Sequence, residues 1–320
     1  MARLYTQNPV ALGVLCALGA AVLFSLNDVT IKFLSGDYAL HQVVLIRSLI
    51  AISLLMAVFV PLQGGYASLR TRRLGMHVIR GLCVVTANMC FFAALAAMPI
   101  AEAVAIFFVS PLLITVFSVF FLRETVGPCR WVAVAFGLVG VLVMLRPGSE
   151  AFRPIALLPL LSAAAYAMLH ILTRKIGGTE RATTMAVYIQ AMFILVSGTM
   201  GLIFGDGAWA GSGHASVEFL MRAWVWPAPG DWWLLVLLGL SNGTAGVLIS
   251  QAYRLGEAAL VAPFEYISMP MAVFWGIVVF SEWPDAYAIL GIGLIIGGGL
   301  YMLYRETRVL DLPEYPRARR

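Results

Sequence analysis

Long apolar runs alternate with short polar connections along the whole chain. Ten such runs, bounded by charges, Gly and Pro, cover residues 10–34, 39–61, 75–98, 101–122, 127–146, 154–173, 183–204, 232–253, 258–280 and 285–304. A helix needs about 20 apolar residues to cross the hydrocarbon core of a bilayer. The runs have this length and lack the strict alternation of membrane β-strands. The pattern therefore predicts an all-α polytopic membrane protein with ten transmembrane helices.

Composition narrows the class further. The chain is 61% hydrophobic and 12% charged, with a mean hydropathy of +0.92, whereas soluble domains are about 25% charged. The first apolar run is too long for a cleavable signal peptide, and the four cysteines form no CxxC motif. Walker A and HExxH sequences are absent as well. We therefore expect a membrane protein with no cofactor, no metal site and no nucleic-acid partner.

The basic residues indicate how the chain crosses the membrane. If the N-terminus lies inside, the inner segments hold 15 of the 21 Lys and Arg residues and the outer segments hold 3. Cytoplasmic loops of membrane proteins carry the excess of basic residues. This asymmetry predicts a multi-pass protein of the cell inner membrane with both termini in the cytoplasm.

The two halves of the chain share a pattern. When the numbering is shifted by 158, Glu124 overlays Glu282, and the Thr-Ala pair that begins at 86 overlays the one that begins at 244. The start of each half overlays with a smaller shift, 142, which matches Asp28-x-x-x-Lys32 to His170-x-x-x-Arg174. The pattern predicts two five-helix units, 1–150 and 151–320. Because five is odd, the second unit must be inverted, as in many transporters.

Two segments carry a family resemblance. The sequence MPIAEAVAIFFVSPLLITVFSVFFLRETV (98–126) and its counterpart RLGEAALVAPFEYISMPMAVFWGIVVFSEWP (254–284) resemble the fourth and ninth spans of EamA-type members of the drug/metabolite transporter superfamily. The NDVTIK sequence followed by Arg47 is similar to members related to riboflavin and S-adenosylmethionine uptake carriers. The resemblance, which covers about 10–304, implies ten helices and inner-membrane transport of small metabolites by alternating access.

Three charged residues lie within the two spans of the first hairpin. Placing a charge at the bilayer centre costs about 2.5–3.5 kcal/mol on insertion scales, so such groups should be paired or line a water-filled cavity. Asp28 and Arg47 lie at similar depth, which predicts that they form an ion pair. The pair could fasten the hairpin or face the substrate. Lys32, four residues after Asp28, could snorkel to the outer boundary or face the substrate.

Further candidates come from the third, eighth and ninth spans. Glu265 is an acid in an apolar span, which by default indicates a functional site; the alternative is a neutral, hydrogen-bonded Glu that fastens two helices. Arg80 should lie at a similar depth, as a partner, a cavity residue or an anchor at the inner boundary. Tyr266 could stack on a solute or belong to the core. Asn88 and Gln251 could contact the solute or join helices.

Several other polar residues read as structural. His77 and His170 should be interfacial, and Asn242 should join helices. Glu124 and Glu282 should cap the helix that follows each of them or hold a charge near its N-terminus. Pro111 and Pro263 should interrupt their spans.

These features together predict a secondary transporter of a small organic metabolite, with proton coupling through Glu265 or exchange as its driving force. The alternative is a membrane-embedded enzyme or a flippase for lipid-linked substrates; a channel would need a filter sequence. Expected partners are the solute and membrane lipid. Spans 5 and 10 are Gly-rich and nearly uncharged, so we place them at the periphery, where they could support a homodimer. The Trp-rich connection 205–231 should be external, as an interfacial anchor or a lid.

Overall fold

Helices form every regular element in this computed structural model, which describes residues 9–145, 153–211, 213–256 and 261–310. In chain order they are α1 (Pro9–Leu34), α2 (Leu40–Leu54, continuing to Leu62), α3 (Leu74–Leu95), α4 (Ile100–Phe107), α5 (Ser110–Phe117, continuing to Leu122), α6 (Pro128–Leu145), α7 (Leu157–Ile176), α8 (Ala182–Phe204), α9 (Ala215–Met221), α10 (Trp232–Leu255), α11 (Ser268–Phe280) and α12 (Ala286–Leu310).

Seven of the described segments are long and apolar enough to cross a membrane. They are Ala11–Leu34, Leu40–Leu62, Leu74–Leu95, Ile100–Leu122, Pro154–Ile176, Ala182–Phe204 and Trp232–Leu255. Each coincides with a predicted span to within a few residues. The remaining three predicted spans correspond to α6, to α11 with the 3-10 turn before it, and to α12. The all-helical class is thus confirmed, whereas the count of ten spans stays a prediction.

Two of the spans are broken helices. The fourth span consists of α4 and α5, with Pro111 in the first turn of α5. Proline fits a first turn, where no backbone N–H is needed, but not a helix interior. In the ninth span, the 3-10 turn Ala262–Ile267 precedes α11 and carries Glu265. Each break brings irregular backbone to the middle of an apolar segment.

The helices pack in a pattern that relates the two halves. Helix α1 packs on α10 and α3 packs on α7, while α2 packs on α8 and α6 on α12. The starts of α2 and α8, at Leu40 and Ala182, are related by the smaller of the two sequence shifts. The starts of α3, α5 and α6 are related to those of α10, α11 and α12 by the larger one. The helix boundaries therefore follow the two shifts that relate the halves in the sequence.

The connection between α8 and α10 (205–231) is docked onto the α1–α2 hairpin. The Tyr38 hydroxyl donates to Oδ2 of Asp231 at 2.5 Å, and this hydrogen bond raises the pKa of Tyr38. The Gln42 amide donates to the carbonyl of Val225, also at 2.5 Å. These contacts fasten the connection to one end of the helix bundle.

The tryptophans of that connection differ in their surroundings. Trp224 packs with its ring centroid 5.7 Å from that of His41, whereas Trp209 and Trp226 are largely exposed. Exposed indole rings are common at membrane interfaces. The anchoring interpretation therefore stays a prediction that this arrangement fits.

Candidate substrate cavity

A cavity lies between the two halves of the chain. Its walls come from α1, α2, α3 and α4 on one side and from α7, α8, α10 and the 3-10 turn at Glu265 on the other. Its polar lining consists of Asn27, Asp28, Arg47, Asn88, Ser162, Tyr166, His170, Gln190, Asn242, Glu265 and Ser268. Its aromatic lining includes Phe24, Phe91, Phe92, Phe107, Phe108 and Phe193. Ligand pockets commonly combine apolar walls with a few converging polar groups.

Arg47 is fully buried and held by neutral groups. Its Nη1 donates to Oδ1 of Asn27 at 2.8 Å, and its Nη2 donates to Oδ1 of Asn88. The guanidinium also lies 5.5 Å from the ring centroid of Phe92 and 5.2 Å from that of Phe193. Amides and rings orient the cation without cancelling its charge. Arg47 therefore presents a fixed positive charge at the cavity wall.

Asp28 lines the same cavity but forms no direct ion pair with Arg47. Within the described part of the chain, no hydrogen bond or ion pair holds its carboxylate, and the side chain keeps some exposure. The predicted Asp28–Arg47 pair is thus wrong. The reason is that Asn27, one residue earlier on α1, takes the position beside the guanidinium. The carboxylate is left facing the space that a solute would occupy.

Glu265 lies within an aromatic cluster on the opposite wall. Its carboxylate accepts hydrogen bonds from the hydroxyls of Tyr166, at 2.7 Å, and Tyr253. The His170 ring stacks on Tyr253 with centroids 4.0 Å apart and meets Tyr166 edge-on at 4.2 Å. Glu265 is therefore fixed by two donors within an apolar span, an arrangement that fits both a functional carboxylate and a fastener between helices.

His170 is buried at the cavity wall, and its predicted depth at the membrane interface stays a prediction. Neither of its ring nitrogens has a hydrogen-bond partner among the described residues. Buried polar groups are nearly always satisfied, and an exception needs an explanation. A solute or a water molecule in the cavity would supply the missing partner.

Comparisons with known proteins match this architecture. Residues 11–146 match the EamA-like transporter family. A riboflavin transporter from Rhizobium johnstonii is 29% identical over 92% of each chain, and an S-adenosylmethionine uptake transporter from Rickettsia prowazekii is 27% identical over 93% of this chain and 95% of its own. The resemblance to EamA-type transporters is confirmed.

The fold comparison agrees. A solved crystal structure with 20% sequence identity superposes with a TM-score of 0.67 over 94% of this chain and 99% of that one. The matching family and the relatives are transporters, which indicates that this chain is a membrane transporter and not an enzyme. The alternative of a membrane-embedded enzyme is thereby set aside.

Arg80 does not line the cavity. Its Nε donates to Oγ1 of Thr173 at 3.0 Å, and its Nη1 lies 3.5 Å from Nδ1 of His77. Nε2 of His77 lies 3.6 Å from Glu180, and the His77 ring stacks on Tyr188 at 4.3 Å. His77 is therefore buried within the protein, and its predicted depth at the membrane interface stays a prediction. This separate network joins α3, α7, α8 and the turn before α8.

The remaining two predicted site residues have different outcomes. Gln251 lies outside the cavity lining, and its Oε1 accepts from Nη1 of Arg254 at 3.3 Å. The side chain of Tyr266 lies outside the described part of the structure. Asp28, Arg47, Asn88 and Glu265 are thus the predicted residues that the fold brings to one cavity.

Two amides at the cavity wall were missed or undervalued. Nε2 of Gln190 donates to Oδ1 of Asn242 at 2.7 Å, and Oε1 of Gln190 has no partner in the described part of the chain. We predicted Asn242 only as a contact between helices and did not single out Gln190. The available signal was an uncharged polar residue in an apolar span, which is the same for both roles.

Glu282 and Glu124 lie at opposite ends of the bundle. Among the described residues, neither carboxylate caps the helix that follows it. Glu282 accepts the backbone N–H of Ile100 at 3.0 Å, at the start of α4, and pairs with Lys32 at 2.7 Å. Its cap thus serves a helix of the other half and not the helix that follows it, whereas the alternative of a charge near the N-terminus of that following helix stays a prediction. Glu124 faces Arg174 at 3.8 Å.

Proposed function

We propose that this protein is an inner-membrane secondary transporter of a small organic metabolite that works by alternating access. The single observation that carries the proposal is the central cavity, because both halves of the chain build it and charged residues face it. In this proposal the halves are inverted five-helix units, 1–150 and 151–320, with ten spans in total. The excess of basic residues in alternate connections supports cytoplasmic termini.

The backbone supports the two-unit organisation. Arg123 and Ser281 both adopt a left-handed conformation with φ of 56°, and the larger sequence shift overlays one on the other. Such a conformation is uncommon in residues other than Gly. The next residues, Glu124 and Glu282, donate their N–H groups to the carbonyls of Ser118 and Gly276, which the same shift also relates. The same helix ending thus occurs twice at the repeat spacing.

The cavity lining suits a planar solute that carries hydrogen-bonding groups. Phenylalanine and tyrosine rings on both walls offer stacking surfaces. Asp28 would accept from a cationic or N–H group of the solute, and Arg47 would bind an anionic group or a carbonyl. The relatives named for riboflavin and S-adenosylmethionine make these two compounds the first candidates to test.

Coupling to protons through Glu265 is part of the proposal, with solute exchange as the other mode. A carboxylate held by two tyrosine hydroxyls in the cavity wall could gain and lose a proton as solute enters and leaves. Glu265→Gln keeps a hydrogen-bonding oxygen but cannot titrate. It should abolish uptake driven by a pH gradient and leave exchange intact.

Counterflow in proteoliposomes tests the transporter function. Vesicles preloaded with unlabelled riboflavin or S-adenosylmethionine should accumulate the labelled compound transiently if the protein is a carrier. Asp28→Asn should remove this overshoot, whereas Lys175→Gln, at an exposed position near the end of α7, should leave it intact. Linear uptake with no trans-stimulation would refute the carrier. Equal overshoot in Asp28→Asn would refute the proposed site.

A further inference from the structure

Lys32 fastens the C-terminal end of α1 to the other half of the chain. The Lys32 ammonium donates to both carboxylate oxygens of Glu282, at 2.7 and 3.0 Å, and to the carbonyl of Met98 at 3.0 Å. It also lies 4.9 Å from the ring centroid of Phe280. Three acceptors use all three ammonium protons. We call this cluster of Lys32, Met98 and Glu282 the Lys32 end.

A looser pair lies at the C-terminal end of α7. Nε of Arg174 is 3.8 Å from Oε1 of Glu124, which is too far for a hydrogen bond. Nη1 of Arg174 donates instead to the carbonyl of Arg254 at 3.3 Å. Oε2 of Glu124 is buried with no partner in the described residues. We call this cluster of Glu124, Arg174 and Arg254 the Arg174 end.

The two pairs are related by the shifts that relate the halves. The smaller shift overlays Lys32 on Arg174, and the larger shift overlays Glu124 on Glu282. In each pair the base comes from one half and the acid from the other. Successive spans reverse the direction of the chain, so the ends of α1 and α7 lie on opposite faces of the bundle. The central cavity lies between them.

We propose that these two ion pairs are the alternate closures of the transport pathway, one at each membrane face. In the conformation described here the Lys32 pair is formed and the Arg174 pair is separated. When the halves rock about the cavity, the Lys32 pair opens and the Arg174 pair gains the hydrogen bonds that it lacks. The inference rests on the proposed alternating access. It adds four residues outside the cavity that set the equilibrium between the two conformations.

The balance between the two closures follows from their chemistry. A hydrogen bond to a charged group stabilises the conformation that contains it. Losing that bond should change the ratio of the two conformations about tenfold or more. Weakening the Lys32 pair should therefore favour the conformation that is open at the Lys32 end. Weakening the Arg174 pair should have the opposite effect. If the pairs only fastened the fold, weakening either one would lower stability but would not shift the two conformations in opposite directions.

Cysteine labelling from each side of the membrane tests the proposal. In a chain whose native cysteines are replaced by serine, Ile189→Cys places one thiol on the cavity wall. A membrane-impermeant maleimide is then added to right-side-out and inside-out vesicles. Lys32→Gln should raise the ratio of labelling from the Lys32 end to labelling from the Arg174 end about tenfold. Arg174→Gln should lower that ratio.

Two further variants separate closure from other effects. Glu282→Gln keeps an oxygen for the Ile100 N–H and should shift labelling in the same direction as Lys32→Gln, although it changes the charge by the opposite sign. Lys175→Gln, the exposed neighbour of Arg174, should leave the ratio unchanged.

The outcomes distinguish this inference from the function on which it rests. Labelling ratios that do not change, or that change in the same direction for Lys32→Gln and Arg174→Gln, would overturn the closures while counterflow by the parent protein continued. Loss of counterflow in the parent protein itself would overturn the transporter function and the closures together.

Discussion

The structure holds two buried arginines in two different settings. Arg47 faces the central cavity between neutral amides and phenyl rings, with no acid in direct contact among the described residues. Arg80 is equally buried but lies outside the cavity lining, in a network with Thr173 and His77, and His77 in turn lies beside Glu180. Arg47 thus lines the cavity, whereas Arg80 is surrounded by protein.

The difference lies in what surrounds each guanidinium. Burying an arginine is costly, and it is tolerated when hydrogen bonds and nearby charges compensate. Each arginine keeps one nitrogen without a partner among the described residues, Nε of Arg47 and Nη2 of Arg80. Arg47 lines the cavity, whereas Arg80 lies outside the cavity lining at the junction of α3, α7 and α8. We therefore expect a solute to reach Arg47 and not Arg80.

The largest expected effect is on transport by Arg47→Gln. The glutamine amide can still reach toward Asn27 or Asn88, but the fixed positive charge at the cavity wall is lost. Losing charged hydrogen bonds to a solute should raise the KM in riboflavin or S-adenosylmethionine counterflow about 10–100-fold. The melting temperature should change little. An unchanged KM with a large fall in melting temperature would place Arg47 in the same class as Arg80.

The second prediction concerns Arg80→Gln, which should show the reverse pattern. The change removes the cation from a network that includes Thr173 and His77 and leaves Glu180 without it. We expect the free energy of unfolding to fall by about 1–3 kcal/mol, visible as a lower melting temperature in detergent. The KM of the folded fraction should stay at the parental value. A KM increase as large as that of Arg47→Gln would contradict the comparison.

Each kind of sequence signal predicts a different property of the fold and of the cavity. Run length indicated where helices begin and end, so the predicted span 39–61 became Leu40–Leu62. Charge and position along a span indicated which residues are buried, as for Arg47 and Glu265. Rotation about the helix axis could not be predicted, because an apolar span has too few polar residues to mark a face. Arg80 and Glu265 were placed at similar depth, but depth does not show which face of a helix a residue occupies. Only Glu265 of the two lines the cavity.

The same limit applies to the amides at the cavity wall and to the ion pairs that join the two halves. An Asn or Gln in an apolar helix looks alike whether it joins helices or lines a cavity, so Asn27 and Gln190 carried no distinguishing signal. Lys32 and Glu282 lie near opposite ends of the chain, and their contact depends on how the two halves dock. The sequence overlay alone nevertheless relates Lys32 to Arg174 and Glu124 to Glu282.

The smallest expected effect extends the comparison to two buried histidines. His170 stacks on Tyr253 at the cavity wall with both ring nitrogens unpartnered among the described residues, whereas His77 stacks on Tyr188 beside Glu180. If the His170 nitrogens serve the solute, His170→Gln should raise the KM in counterflow about 5- to 10-fold, the worth of one neutral hydrogen bond.

His77→Gln is the matched control, since it changes the same residue type at equal burial in the network around Arg80. It should lower the melting temperature and leave the KM unchanged. If both variants affected the KM equally, the cavity would not distinguish the two histidines, and the separation of a binding network from a structural one would fail. If only His170→Gln raised it, an unsatisfied buried nitrogen would have identified a solute contact that position along the sequence did not reveal.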